Sequence, residues 1–157
     1  MSRSSANRKE ARRNKWGGGN FTGLQRAFLD STLLKRLSPY ACKLLLDLLS
    51  QYNGCNNGDL TVAWSVMQHY GWSGKSTLEK ATKELLACKV LILARQGGRN
   101  RCSLYALSIF AVDECKGKLE EISRTEKPTN DWLQNELRLI GGLQNKKPAP
   151  LLGSKAA

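Results

Sequence analysis

Apolar positions along the chain fall into separate runs, and the spacing within each run predicts an element. Between Phe21 and Leu37, the residues Leu24, Phe28, Leu29, Leu33, Leu34 and Leu37 recur at loose helical spacing. One or two short helices are expected there. Residues 38–54, SPYACKLLLDLLSQYNG, are more regular, with Ala41, Leu44, Leu45, Leu48, Leu49 and Tyr52 tracing one face of a helix. Ser38 suits the N-cap, Pro39 the first helical position, and Asn53-Gly54 the stop. A turn at NNGDL follows, and Leu60 to Val62 offer a very short strand.

Ala63, Trp64, Val66, Met67 and Tyr70 again step at helical intervals until Gly71. Ser73 is placed to cap a further helix, with Ser76 and Glu79 as an alternative capping-box pair, and Leu78, Ala81, Leu85 and Leu86 carry that helix to about Cys88. The pattern then changes period. Val90 to Ala94, a turn at Gly97-Gly98, and Cys102 to Phe110 form a β-hairpin in which Leu104, Ala106 and Ser108 alternate with Tyr105, Leu107 and Ile109. Beyond it the chain is polar, apart from Trp132, Leu133, Leu137 and Ile140, which predict a short helix over 131–140.

Core helix, brief strand, helix, tight turn, helix, hairpin is the order of a winged helix-turn-helix. The expected class is therefore mainly α with a small β-hairpin (α+β). The expected organisation is a flexible basic arm at 1–20, the winged-helix unit at 21–115, and a polar C-terminal extension at 116–157. The arm has almost no apolar content and carries Arg3, Arg8, Lys9, Arg12, Arg13 and Lys15 against Glu10.

Charge sharpens this picture. Lys and Arg number 25 against 13 Asp and Glu, a net charge of +12, which points to a polyanionic partner. No apolar run is long enough to span a membrane and no apolar signal core follows the basic N-terminus, so a cytoplasmic protein without a membrane partner is expected.

The tetrapeptide Gly74-Lys75-Ser76-Thr77 imitates the end of a nucleotide-binding loop, but that loop needs its first glycine where His69 stands, and a strand where a helical pattern precedes it. A helix N-terminus with Lys75, Ser76 and Thr77 beside it suits the phosphate of a DNA strand instead. With Leu78, Ala81 and Leu85 turned inward, Ser76, Thr77, Glu79, Lys80 and Lys83 face outward to reach base edges or phosphates, with Glu79 and Glu84 tempering the charge of the helix. The hairpin loop ARQGGRNR adds Arg95, Arg99 and Arg101 around two flexible glycines, a basic wing suited to a phosphate ridge or a minor groove. The candidate DNA-binding residues are thus Lys75, Ser76, Thr77, Lys80, Lys83, Arg95, Arg99 and Arg101.

The stretches YNGCNNGDL, GWSGKSTLEKATKELL and RQGGRNRCSLYAL, within residues 20–115, resemble a group of small winged-helix proteins of proteobacteria that occur near prophage or plasmid genes. More distantly the region is similar to the DNA-binding domain of lambda-type phage replication proteins and plasmid replication initiators. The resemblance implies binding of double-stranded DNA through the helix from about Gly74 to Lys89, with 95–101 as wing. Replication proteins of that type carry a further C-terminal region, whereas residues 116–157 alone follow the hairpin here, which directs the expectation to a compact transcriptional regulator or replication accessory of a mobile element, acting as a homodimer.

Chemistry of other kinds finds no purchase in the sequence. His69 has no nucleophile partner, and Asp113-Glu114 and Glu120-Glu121 are sequence neighbours, which cannot flank a substrate as acid and base. Cys42, Cys55, Cys88, Cys102 and Cys115 are never closely paired, so free thiols are expected, with no metal, no cofactor and no enzymatic activity. The alternative is a protein-interaction module on the same scaffold, binding replication, regulatory or host-defence proteins through Trp132, Leu133 and Leu137. Single-strand binding is disfavoured because Trp64, Tyr70 and Trp72 sit in packing positions.

Overall fold

A computed structural model describes residues 21–144, with side chains described as far as Arg138. The basic arm at 1–20 and the end of the chain from 145 lie outside the described residues. The fold is mainly helical with a small two-stranded antiparallel sheet.

Two short helices come first, α1 (Arg26–Leu29) and α2 (Thr32–Arg36). Ser31 links them, its hydroxyl donating to the Phe28 carbonyl at 2.7 Å and accepting from the Leu34 amide at 3.1 Å. Helix α3 (Pro39–Gln51) begins as its sequence dictates, with Ser38 Oγ accepting from the Ala41 amide and Pro39 in the first turn. Ala41, Leu44, Leu45, Leu48 and Leu49 form its buried stripe. The helix ends at Tyr52 and the chain reverses through Gly54, whose φ of +98° requires a residue without Cβ strain.

The short strand expected at 60–62 is reduced to one antiparallel bridge, Leu60 to Tyr105. Its neighbour Thr61 is paired elsewhere: the Gln51 side-chain amide exchanges two bonds of 3.1 Å with the Thr61 backbone and takes the place of a strand neighbour. Helix α4 (Trp64–Met67) tightens into a 3₁₀ turn at Gln68–Tyr70 and closes at Gly71, φ +80°. Helix α5 (Lys75–Ala87) follows and packs along α3.

Strands β1 (Leu91–Arg95) and β2 (Leu104–Leu107) pair in register Leu91–Leu107, Ile92–Ala106 and Leu93–Tyr105, then slip so that Arg95 faces Leu104. The slip leaves Ala94 outside the ladder. Its carbonyl accepts instead from the amides of Glu120 and Glu121, both at 3.0 Å. The alternation expected along β2 does not become an inside and an outside, because all four residues are buried. Tyr105 and Leu107 join the main core, while Leu104, Ala106, Ala94 and Val112 are buried apart from it.

Residues 116–138 are bonded to the rest of the described chain. Helix α6 (Trp132–Gln144) packs on α2, with Trp132 only 2% exposed and its ring edge-on to Phe28 at 5.2 Å. Such a ring pair adds about 0.5–1.5 kcal/mol beyond burial. Glu136 completes the capping that Ser31 begins at α2, its carboxylate accepting from the amides of Thr32 (2.7 Å) and Leu33 (2.6 Å). Trp132, read from sequence as a partner-binding residue, is therefore core. Only Leu133 and Leu137 of that set are exposed.

Asn57 fastens the loops beneath the sheet. Fully buried, it donates to the carbonyls of Leu107 and Ala111 at 2.9 Å and Phe110 at 3.3 Å, and its Oδ1 accepts from the Leu107 amide at 2.7 Å. Its backbone exchanges bonds with Asp113, both at 2.8 Å.

Candidate nucleic-acid interface

Helix α5 divides as its pattern requires: Leu78, Ala81, Thr82 and Leu85 are buried, and Lys75, Ser76, Glu79, Lys80 and Lys83 are exposed. Thr77 is half-buried beside Trp72 and Gly74, in a recess of about 120 Å³. Glu84, an acid of the same helix, turns away from the exposed face. Its carboxylate accepts from the Ser38 amide (2.7 Å) and hydroxyl (2.6 Å) and so ties α5 to the start of α3.

The N-cap of α5 is Gly74, not Ser73, and no side chain caps its first turn. The turn is held from outside the helix instead. Asp47, one side of α3, accepts from the Trp72 indole nitrogen at 2.6 Å and from Lys43 at 2.7 Å. Lys43 in turn donates to the Tyr70 carbonyl at 2.8 Å and lies 4.9 Å from the Trp72 ring centroid. These contacts leave the α5 amides uncapped, with the positive end of the helix dipole facing solvent.

The predicted cations differ in how free they are. Lys75 lies over the Trp64 ring, 5.6 Å from its centroid. Lys83 is paired with Glu79 at 2.7 Å, and its ammonium holds the Glu79 carboxyl below the usual carboxylate range, by hydrogen bond first and charge second. Arg95 lies along the hairpin, with Nη2 donating to the Cys102 carbonyl at 3.3 Å and Nε buried without a partner. Arg101 is held by both oxygens of Glu120, at 2.6 and 2.9 Å. Among the described residues, Lys80 and Arg99 are exposed and form no ion pair.

The hairpin loop is a built turn. Gly98 and Arg101 exchange backbone bonds of 3.0 and 3.3 Å, which places Arg99 and Asn100 at the tip. Neither loop glycine has a positive φ. Gly97 is required by close approach, since a Cβ there would meet the Ser103 nitrogen at 2.6 Å. The Gly97 amide donates to Ser103 Oγ at 2.9 Å. Flexibility expected from the glycine pair is thus replaced, at Gly97, by a packing requirement.

Loop and helix are linked through residues 61–64. Thr61 Oγ1 donates to the Ser103 carbonyl at 3.5 Å and accepts from the Ala63 amide at 3.2 Å; Trp64 follows, and Lys75 covers its ring. Between α5 and the hairpin runs a groove of about 370 Å³ floored by Val62, Trp64, Leu78, Leu86 and Tyr105. His69 is exposed, with Nδ1 2.8 Å from the Ser65 carbonyl.

Sequence reasoning missed Asp47 and Glu120, the carboxylates that organise the turn and the hairpin loop. The i, i+4 spacing of Lys43 and Asp47 signals an ion pair, but nothing local signals Trp72 as their third member. No helix among the described residues is long and apolar enough to cross a membrane, and these residues contain no His, Cys, Asp and Glu group suited to a metal ion. The chain matches no family model, no curated protein and no solved structure.

Proposed function

We propose that the chain is a winged helix that binds double-stranded DNA, with α5 in the major groove and the 96–103 loop as the wing on the adjoining backbone. One observation carries the reading: Thr61 bonds to Ser103 at the base of the basic loop and to the Ala63 amide, and Trp64, next in the chain, lies under Lys75 at the uncapped start of α5. Phosphates one strand apart then meet Lys75, Ser76 and Thr77 on the helix and Arg99 on the loop, while Lys80 reaches toward base edges. The net charge of +12 supports the same partner. A role as transcriptional regulator or replication accessory of a mobile element, with a homodimer on a two-fold site, completes the proposal.

Anisotropy titrations of a labelled duplex over a salt series test it. Arg99→Ala is expected to weaken binding to all sequences and to flatten the log–log salt slope by about 0.9. Lys80→Ala is expected to change the preference among sequences. Absence of binding to any duplex at low salt would overturn the proposal, and a genomic footprint separates promoter from origin sites.

The reading as a protein-interaction module has its own support in Leu133 and Leu137, 43% and 70% exposed at i, i+4 on α6. A partner retained after nuclease treatment and lost in Leu133→Asp/Leu137→Asp favours that reading.

A further inference from the structure

We infer that Glu120 restrains the proposed wing: its carboxylate occupies the Arg101 guanidinium in the place of a DNA phosphate and lowers affinity for DNA. The inference rests on the DNA-binding reading.

The fork is filled in parallel, Nη1 to Oε1 at 2.6 Å and Nη2 to Oε2 at 2.9 Å. This is the same bidentate geometry by which arginine grips phosphate, so one guanidinium face serves either anion and not both. The carboxylate is delivered by backbone, not by chance contact of two long side chains. Because Ala94 stands outside the β ladder, its carbonyl is free to accept from the Glu120 and Glu121 amides. Two residues before Glu120, Lys118 pairs with Asp59 and ties the same segment to the loop after α3. Glu120 therefore stands at the root of the wing before DNA arrives.

The pair is half-exposed, with side chains 50% and 41% accessible. Water screens it, so withholding Arg101 from phosphate costs only about twofold to fivefold in affinity. Arg99, which has no acid partner among the described residues, is left as the unconditional backbone contact of the loop.

The test compares Glu120→Gln with Glu121→Gln, its exposed neighbour, which removes the same charge without touching Arg101. Titrated against a random-sequence duplex, Glu120→Gln is expected to bind about twofold to fivefold more tightly than Glu121→Gln and to steepen the salt slope by about 0.9, as one more phosphate contact forms. In an Arg101→Ala background the two glutamine variants are expected to bind alike. Glutamine keeps the backbone bonds to Ala94, and unchanged thermal unfolding of both variants checks that the fold is intact. If wild-type protein binds but Glu120→Gln matches Glu121→Gln, or binds more weakly than wild type, the inference is overturned. If wild-type protein binds no duplex at low salt, the DNA reading itself falls and takes the inference with it.

Discussion

Replacing Asp47 by alanine tests how the turn before α5 is held. Trp72 is 6% exposed, and Asp47 accepts its indole N–H at 2.6 Å, so the variant leaves a donor with its ring buried and its partner gone. A hydrogen bond to a charged group contributes about 1.5–3 kcal/mol, and a buried unsatisfied donor costs a similar amount. The Lys43 pair adds less, because the Lys43 side chain is 39% exposed and water screens it, which limits that contribution to below about 1 kcal/mol. Asp47→Ala is therefore expected to lose about 2–4 kcal/mol in urea unfolding followed by far-UV circular dichroism, with an unchanged slope on denaturant. Trp72→Phe keeps the ring and removes only the donor. A double-mutant cycle of the two is expected to show coupling of about 1.5–3 kcal/mol. Coupling below about 0.5 kcal/mol would refute the claim that this bond holds the turn. Lys43→Ala serves as the control and is expected to cost about 1 kcal/mol or less.

Asn57→Ala removes three short bonds and one longer one from a site with no access to water, and is expected to lower stability by about 3–5 kcal/mol, read as a fall in Tm that Asn57→Asp does not avoid. The Cys115 thiol is pushed up to about 11, by burial first and then by the Asp59 and Asp113 carboxylates. Its thiolate is scarce at pH 8 and grows as pH rises toward that value, so mass spectrometry after limited alkylation at pH 8 is expected to find exposed Cys55 and Cys102 modified first, with Cys115 gaining rate steeply above pH 9.

Most helices were legible because their signals are local. Ser38, Pro39 and the Ala41–Leu49 stripe specify α3 within its own residues, and the change of period after Cys88 specifies the hairpin. The exposed cations of α5 follow from the same arithmetic, since burying Leu78, Ala81 and Leu85 leaves Ser76, Lys80 and Lys83 outside. Boundaries were less legible where a distant group intervened. Ser73 has the chemistry of a cap, but Asp47 fixes Trp72 from α3 and the helix starts without one.

By itself the sequence determined the order of elements, the inward face of each helix and the excess of positive charge, all of which depend on residue type and spacing within a dozen positions. Apart from the i, i+4 pair of Glu79 and Lys83, tertiary structure decided which charges are free. Glu120 lies 19 residues from Arg101, Glu84 lies 46 from Ser38, and Glu136 lies 104 from Thr32. No periodicity encodes such pairs, because a carboxylate finds its donor only after the core has brought distant backbone together. Of eight residues that sequence assigned to the interface, folding therefore left Lys80 and Arg99 as exposed cations without a carboxylate or an aromatic partner, and set Lys75, Lys83, Arg95 and Arg101 into contacts that any bound phosphate must accept or displace.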